Sequence, residues 1–203
     1  MKTAPKISSP RRGAGHPHRR WSACALVAAA LLGPLLWSPA ARAKAFDEAT
    51  VKAVFLYRLT LFVNWPASPE ATRGAPLVIG TIGEVPFGAQ IAEAVRGERV
   101  NGRPIQVQPF SKLSTLQQTP CDMLYIGAVH PEALEAILSV ARERRILTVS
   151  DTPRFAHNGG MVAIRTVDRR IRISINLTAT RQAGISFSAK LLKVAELVSK
   201  EGR

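Results

Sequence analysis

The residues best suited to chemistry gather in one stretch, Ser150-Asp151-Thr152-Pro153-Arg154-Phe155-Ala156-His157-Asn158-Gly159-Gly160-Met161. A hydroxyl, a carboxylate, a guanidinium, an imidazole and an amide so close together could hydrogen-bond a ligand or grip a protein partner. The Gly-Gly pair allows backbone of positive φ. The segment follows a β-rich run, Ile146–Ser150, and open α/β sheets bind ligands beyond the carboxyl ends of their strands. Ser150, Asp151, Arg154, His157, Asn158, Gly159 and Gly160 are therefore the candidate contact residues. The competing reading is a structural loop in which Ser150 or Asp151 caps a short helical turn.

Elsewhere the sequence offers little chemistry. It has no G-x-S-x-G, no clustered histidines and no carboxylate pair with evident acid/base geometry. Gly80-Thr81-Ile82-Gly83 follows a strand-like run but lacks the third glycine and the spacing of G-x-G-x-x-G, so it reads as an ordinary turn. His130 and His157 have no second ligand at metal spacing. Neither a metal nor a cofactor is expected, and the chain is expected to bind rather than catalyse.

The first residues narrow the setting. Residues 1–20 carry six basic side chains and no acid, and Trp21–Ala41 is uncharged and rich in Ala and Leu. Ala41-Arg42-Ala43 then presents small residues where signal peptidase reads them, completing a secretory pattern. The apolar run is about the 20 residues that a membrane span needs. Gly33-Pro34 interrupts it, however, and a good cleavage site follows. We therefore expect a signal peptide over 1–43, cleavage after Ala43, and one periplasmic domain over 44–203. Arg19-Arg20 lacks the flanks of a twin-arginine signal, and Cys24 stands at the wrong end of the run for lipidation.

Export also changes the charge balance. The whole chain is formally +14, but residues 1–43 hold seven basic residues and no acids, leaving +7 beyond them. That residue of charge is not arranged in a basic run interleaved with aromatics, so nucleic acid is not an expected partner. Cys24 leaves with the signal. Cys121 remains alone and cannot form an intrachain disulfide. It reads as a small buried apolar residue, with a reactive thiol or an intermolecular bridge as the alternative.

The elements that must position the candidate loop follow from periodicity. Val51, Val54, Phe55, Leu59 and Phe62 predict a helix over Thr50–Trp65, closed by Pro66 and apolar enough to lie against a sheet. Lys52 and Arg58 are the only formal charges inside it. Strands are predicted at Leu77–Ile82, Ile105–Gln108, Met123–Gly127 and Ile146–Ser150, with helices over Phe87–Val95 and from Pro131 through Ala141. Such alternation implies right-handed crossovers and a mainly parallel sheet. Met161–Val167 and Ile171–Leu177, joined by only Asp168-Arg169-Arg170, must form an antiparallel hairpin at one end of the sheet. A final helix is predicted over Ser186–Val198, with Ser188, Leu191, Leu192, Ala195 and Val198 inward. The expected fold is a three-layer Rossmann-like α/β sandwich.

Val51-Lys52-Ala53-Val54-Phe55-Leu56-Tyr57, closing with Phe62-Val63-Asn64-Trp65-Pro66, resembles the opening helix of the YfiR-like family of periplasmic proteins. Three further stretches match in order: Cys121–Ile126, Ile146–Met161, and Ile175-Asn176-Leu177 through Ser188–Leu192. The resemblance implies a Rossmann-like fold, a tendency to form homodimers and a regulatory role without catalytic residues. The founding member represses an inner-membrane diguanylate cyclase by binding its periplasmic domain, and an OmpA-like outer-membrane lipoprotein can sequester it. A cyclase or a sensor kinase is thus the expected partner. A small-molecule sensor or accessory protein is the alternative. The family's disulfide-based redox response cannot carry over, because only Cys121 follows the signal.

Overall fold

Asp47 starts the first helix by accepting hydrogen bonds from the Ala49 amide at 3.2 Å and from the Thr50 hydroxyl. This helix, α1, spans Glu48–Thr60, with Glu48 in its first turn and Arg58 in its last, each sign suited to the helix dipole. The computed structural model describes residues 47–65 and 74–198; the export signal expected over 1–43 lies outside them. Helix α1 stops five residues short of the expected Trp65. The Trp65 indole donates to the Thr60 carbonyl at 3.1 Å, and the chain straightens into β1, Val63–Asn64. This strand pairs antiparallel with β9, Ser186–Phe187, and buries Val63 beside Phe187. Pairing with a segment far along the chain here overrides helical spacing.

The remaining elements in chain order are β2 (Leu77–Ile82), α2 (Gly88–Ala94), β3 (Arg99–Val100), β4 (Arg103–Phe110), α3 (Leu113–Gln118), β5 (Met123–Ile126) and α4 (Pro131–Glu143). There follow β6 (Leu147–Ser150), β7 (Val162–Val167), β8 (Arg170–Asn176), α5 (Leu177–Gln182), β9, α6 (Ala189–Leu192) and β10 (Glu196–Val198). Eight strands form one sheet in the order β10-β8-β7-β6-β5-β2-β4-β3. The run from β4 through β7 is parallel throughout, whereas β7–β8 and β3–β4 are antiparallel. The protein is thus a mixed α/β fold with a mainly parallel central sheet.

Alternation along the strands divides the core into two apolar clusters. Ile79, Met123, Tyr125, Val149 and Ile164 pack with Leu56 and Leu59 of α1 and Ile91 of α2. Their neighbours Leu124, Ile126 and Ala163 pack instead with Leu116 of α3 and Ile137, Leu138 and Ala141 of α4. Cys121 belongs to the second cluster's margin. The residue is part-buried, but its Sγ turns inward, where a Cβ on Gly80 would come within 2.7 Å of it. The thiol donates to the Met123 carbonyl at 3.2 Å, and burial pushes its pKa up to about 12. A thiol so placed is not a reactive nucleophile.

The expected final helix over Ser186–Val198 is corrected by the structure. The helix after the hairpin is α5, earlier in the chain, whose N-cap Asn176 accepts from the Ala179 amide at 2.9 Å. Beyond it the chain gives β9, the single turn α6, and β10, which pairs parallel with β8 and becomes the edge strand outside the hairpin. Leu191 and Val198 are buried, so apolar spacing marked the inward residues but not the backbone that carries them.

At the amino-terminal ends of β2, β4 and β5, one ion pair ties three strands. The Arg103 Nη2 lies 3.0 Å from Asp122 Oδ2 and also donates to the Pro76 carbonyl at 2.7 Å, while Asp122 Oδ2 accepts from the Val78 amide at 2.8 Å. We predict that Asp122→Ala lowers the unfolding free energy by about 2–3 kcal/mol, between the values for exposed and fully buried ion pairs. Urea denaturation measures this; a loss below about 0.5 kcal/mol would mean that the cluster contributes no more than a surface pair.

Candidate functional site

The opposite end of the sheet has a different character. From β2 the chain passes through α2 to β4 on one side, then through α3 to β5 on the other side of β2. Connections that leave neighbouring strands in opposite directions open a crevice beyond the carboxyl ends. Here it measures about 660 Å³ and is lined by residues 84–86, 128–129 and 151–153 from the loops after β2, β5 and β6. A hydrogen bond from the Glu84 amide to the Ala128 carbonyl, at 3.2 Å, joins two of these loops. Gly127 makes that approach possible, since a Cβ there would lie 2.1 Å from the Glu84 carbonyl oxygen.

Asp151 forms one wall, and its partner comes from α1. Lys52 Nζ lies 2.6 Å from Asp151 Oδ2 and 2.7 Å from Glu48 Oε1. The side chains of Lys52 and Asp151 are 15 % and 31 % exposed, so the pair is shielded without being sealed from water. Lys52 also stands 6.0 Å from the centroid of Phe87, which packs edge-on against Tyr125 at 5.0 Å. The hydroxyl of Tyr125 hydrogen-bonds the Asp151 carboxylate.

These contacts fix the protonation states. Burial pulls the Lys52 ammonium down, but the hydrogen bonds to Asp151 and Glu48 outweigh it and hold its pKa above the ordinary value. Burial likewise pushes Asp151 up, yet hydrogen bonds from Lys52 and Tyr125 prevail and hold its carboxyl below the carboxylate range. Burial first, and then the hydrogen bond to Asp151, raises the Tyr125 phenol. At neutral pH the site therefore presents a cation, two anions and a neutral phenol. Mutual hydrogen bonding and opposite charge thus favour the ionised forms of Glu48, Lys52 and Asp151.

The residues expected from the sequence divide around this site. Asp151 lines the crevice. Ser150 is buried, and its Oγ accepts from the Thr152 amide at 3.0 Å and bonds the Thr152 hydroxyl at 2.9 Å, a local turn of the kind set against ligand contact above. Arg154, His157 and Asn158 are exposed on the loop and do not line the crevice. Gly159 has φ +98°, and Gly160 lies under the Phe155 ring, where any Cβ would clash. The loop is anchored beneath by Met161, whose amide donates to Thr148 Oγ1 at 3.0 Å, and by the Asn176 side-chain amide, which donates to the Ala156 carbonyl at 2.8 Å. Sequence reasoning missed Lys52, Tyr125 and Phe87 as neighbours of Asp151. One signal was present: a lysine within an otherwise apolar helical face needs a counter-charge. Among the described residues no group of His, Cys, Asp and Glu is placed to hold a metal ion.

The ion pair makes stability depend on pH in a defined way. The contribution of Asp151 is complete above its ordinary value of 3.8 and is lost as pH falls through its lower folded value. That of Lys52 is complete below 10.5 and is lost as pH rises through its higher folded value. Lys52→Met should cost about 1–3 kcal/mol at neutral pH by leaving Asp151 without its cation. It should also flatten both limbs of the melting-temperature profile; limbs identical to those of the wild type would contradict this assignment.

Among the described residues no helix is long and apolar enough to cross a membrane. No curated protein matches the sequence. The family model described as YfiR/HmsC-like matches residues 49–196, which include all but the first residue of α1, every strand from β1 to β9 and the crevice. A match over most of the chain, on the fold just described, means that the protein belongs to the YfiR/HmsC-like family of periplasmic regulators.

Proposed function

We propose that this protein is an exported regulator that works by protein–protein contact in the periplasm. In this reading residues 1–43 are removed after Ala43, and residues 44–203 act as one Rossmann-like domain of three layers. The domain restrains an inner-membrane signalling protein, a diguanylate cyclase or a sensor kinase, by binding its periplasmic part. An OmpA-like lipoprotein is the natural candidate to relieve that restraint, and a homodimer is its expected form. It is not an enzyme in this account.

The observation that carries the reading is the family match across residues 49–196. The fixed charges of Glu48, Lys52 and Asp151 support it, because they favour recognition. The carboxyl-terminal edge of the sheet, with the crevice and the loop of Ser150, Asp151, Arg154, His157, Asn158, Gly159 and Gly160, is the surface through which it acts. A second reading rests on the crevice itself, whose volume is in the range of small-molecule sites. A small ligand held there would make the protein a sensor.

Deleting the gene should raise cyclic-di-GMP and biofilm formation if the partner is a cyclase. Unchanged levels of both across several growth conditions would contradict that partner. A thermal-shift screen separates the sensor reading, since a ligand bound only by the native state raises the melting temperature, by about 2.7 kcal/mol of stabilisation at a hundredfold excess over Kd.

A further inference from the structure

The hairpin of β7 and β8 extends past the rest of the sheet. β6 pairs with β7 only as far as Ala163, and β10 pairs with β8 only from Ser174 onward. Residues 164–173 therefore form a two-stranded ribbon with no further strand beside it among the described residues. At about 3.3 Å per residue, the four residues 164–167 carry it roughly 13 Å beyond the end of β6. Because β6 and β7 run parallel, the ribbon projects from the same edge as the crevice.

Its two faces differ sharply in chemistry. Ile164, Ile171 and Ile173 turn toward the apolar cluster that includes α1. The other face carries Arg165 directly opposite Arg172, and Arg170 opposite Val167. All three arginines are exposed, and Arg169 adds a fourth at the turn. Like charges placed directly across a ladder destabilise it. Glu196 lies 3.9 Å from Arg165 and its carboxylate already accepts from the Ser174 hydroxyl at 2.9 Å. The arrangement thus costs stability in the free protein and would be relieved by an anion laid across it.

We infer that this arginine face is a docking surface for an acidic segment of a protein partner, a conclusion that rests on the protein–protein reading above. Guanidinium groups fixed at cross-strand spacing suit carboxylates, each able to take a bidentate pair. The chain's own amino-terminal residues are not the occupant, since 1–43 carry seven positive charges and no negative one. A lipid surface fits less well: the tip presents Asp168, and the exposed apolar contribution of this face is Val167 alone, at 39 % exposure.

The test uses the purified protein with fluorescent polyglutamate as the probe, and phosphatidylglycerol vesicles in parallel. Arg165→Gln/Arg172→Gln should weaken polyglutamate binding about tenfold or more, whereas Arg142→Gln/Arg181→Gln, an equal change of charge elsewhere, should change it no more than about twofold. The hairpin variant should melt at or above the wild-type temperature, because it relieves a like-charge pair. Equal weakening by both variants, no saturable binding by the wild type, or a loss confined to the vesicles would each overturn the proposal. So would a clear drop in the hairpin variant's melting temperature, which would assign the arginines to the fold. None of these outcomes depends on the identity of the signalling partner, which the gene deletion addresses separately.

Discussion

The 2.6 Å contact between Lys52 and Asp151 joins the first helix to the end of a central strand across 99 residues of sequence. Much else follows from that requirement. A mostly buried ammonium on the helix that carries Ala53, Leu56 and Leu59 needs carboxylates to meet it, and Asp151 joins Glu48 of the same helix in doing so. Asp151 can do so because β6 ends at Ser150 and turns at once through the Ser150–Thr152 hydrogen bonds. Helix α1 is thereby held over the parallel strands by a polar contact at the edge as well as by apolar packing beneath. The crevice inherits one charged wall, and its loops inherit a fixed anchor.

The two ends of the sheet divide the labour. At the amino-terminal ends Arg103 and Asp122 satisfy backbone groups at the start of β2 and bind three strands together. At the carboxyl-terminal ends the loops remain open, and the charged ribbon of β7 and β8 stands beside them. The ion pair thus lies at one edge and the crevice at the other, where the reversal of chain direction at β2 opens it. At neutral pH Lys52 and Asp151 are held charged and the Tyr125 phenol is held neutral at this second edge.

Elements with strong periodicity or tight connections were legible in the sequence. Leu77–Ile82 is a strand over the expected residues, α4 begins at Pro131 as anticipated, and the expected hairpin forms, with its turn at 168–169. Short elements were not legible. β9 and β10 exist because Val63 and Ser174 offer them partners, and the spacing of Leu191, Leu192 and Val198 is compatible with a helix when those partners are unseen. The loop after β6 was visible as a polar, glycine-containing stretch at a strand end. Its division of roles was hidden, because whether Ser150 turns inward or Asp151 finds a lysine depends on a helix distant in sequence.

The proposed acting surface is the carboxyl-terminal edge of the sheet, organised around Asp151. The most direct measurement is complementation of a gene-deletion strain with Asp151→Asn, which keeps the shape and removes the charge. Cyclic-di-GMP would be quantified alongside the variant's exported level and its circular dichroism. The account predicts a folded, exported variant that fails to restore the wild-type level. Full restoration by that variant, at equal abundance, would contradict it.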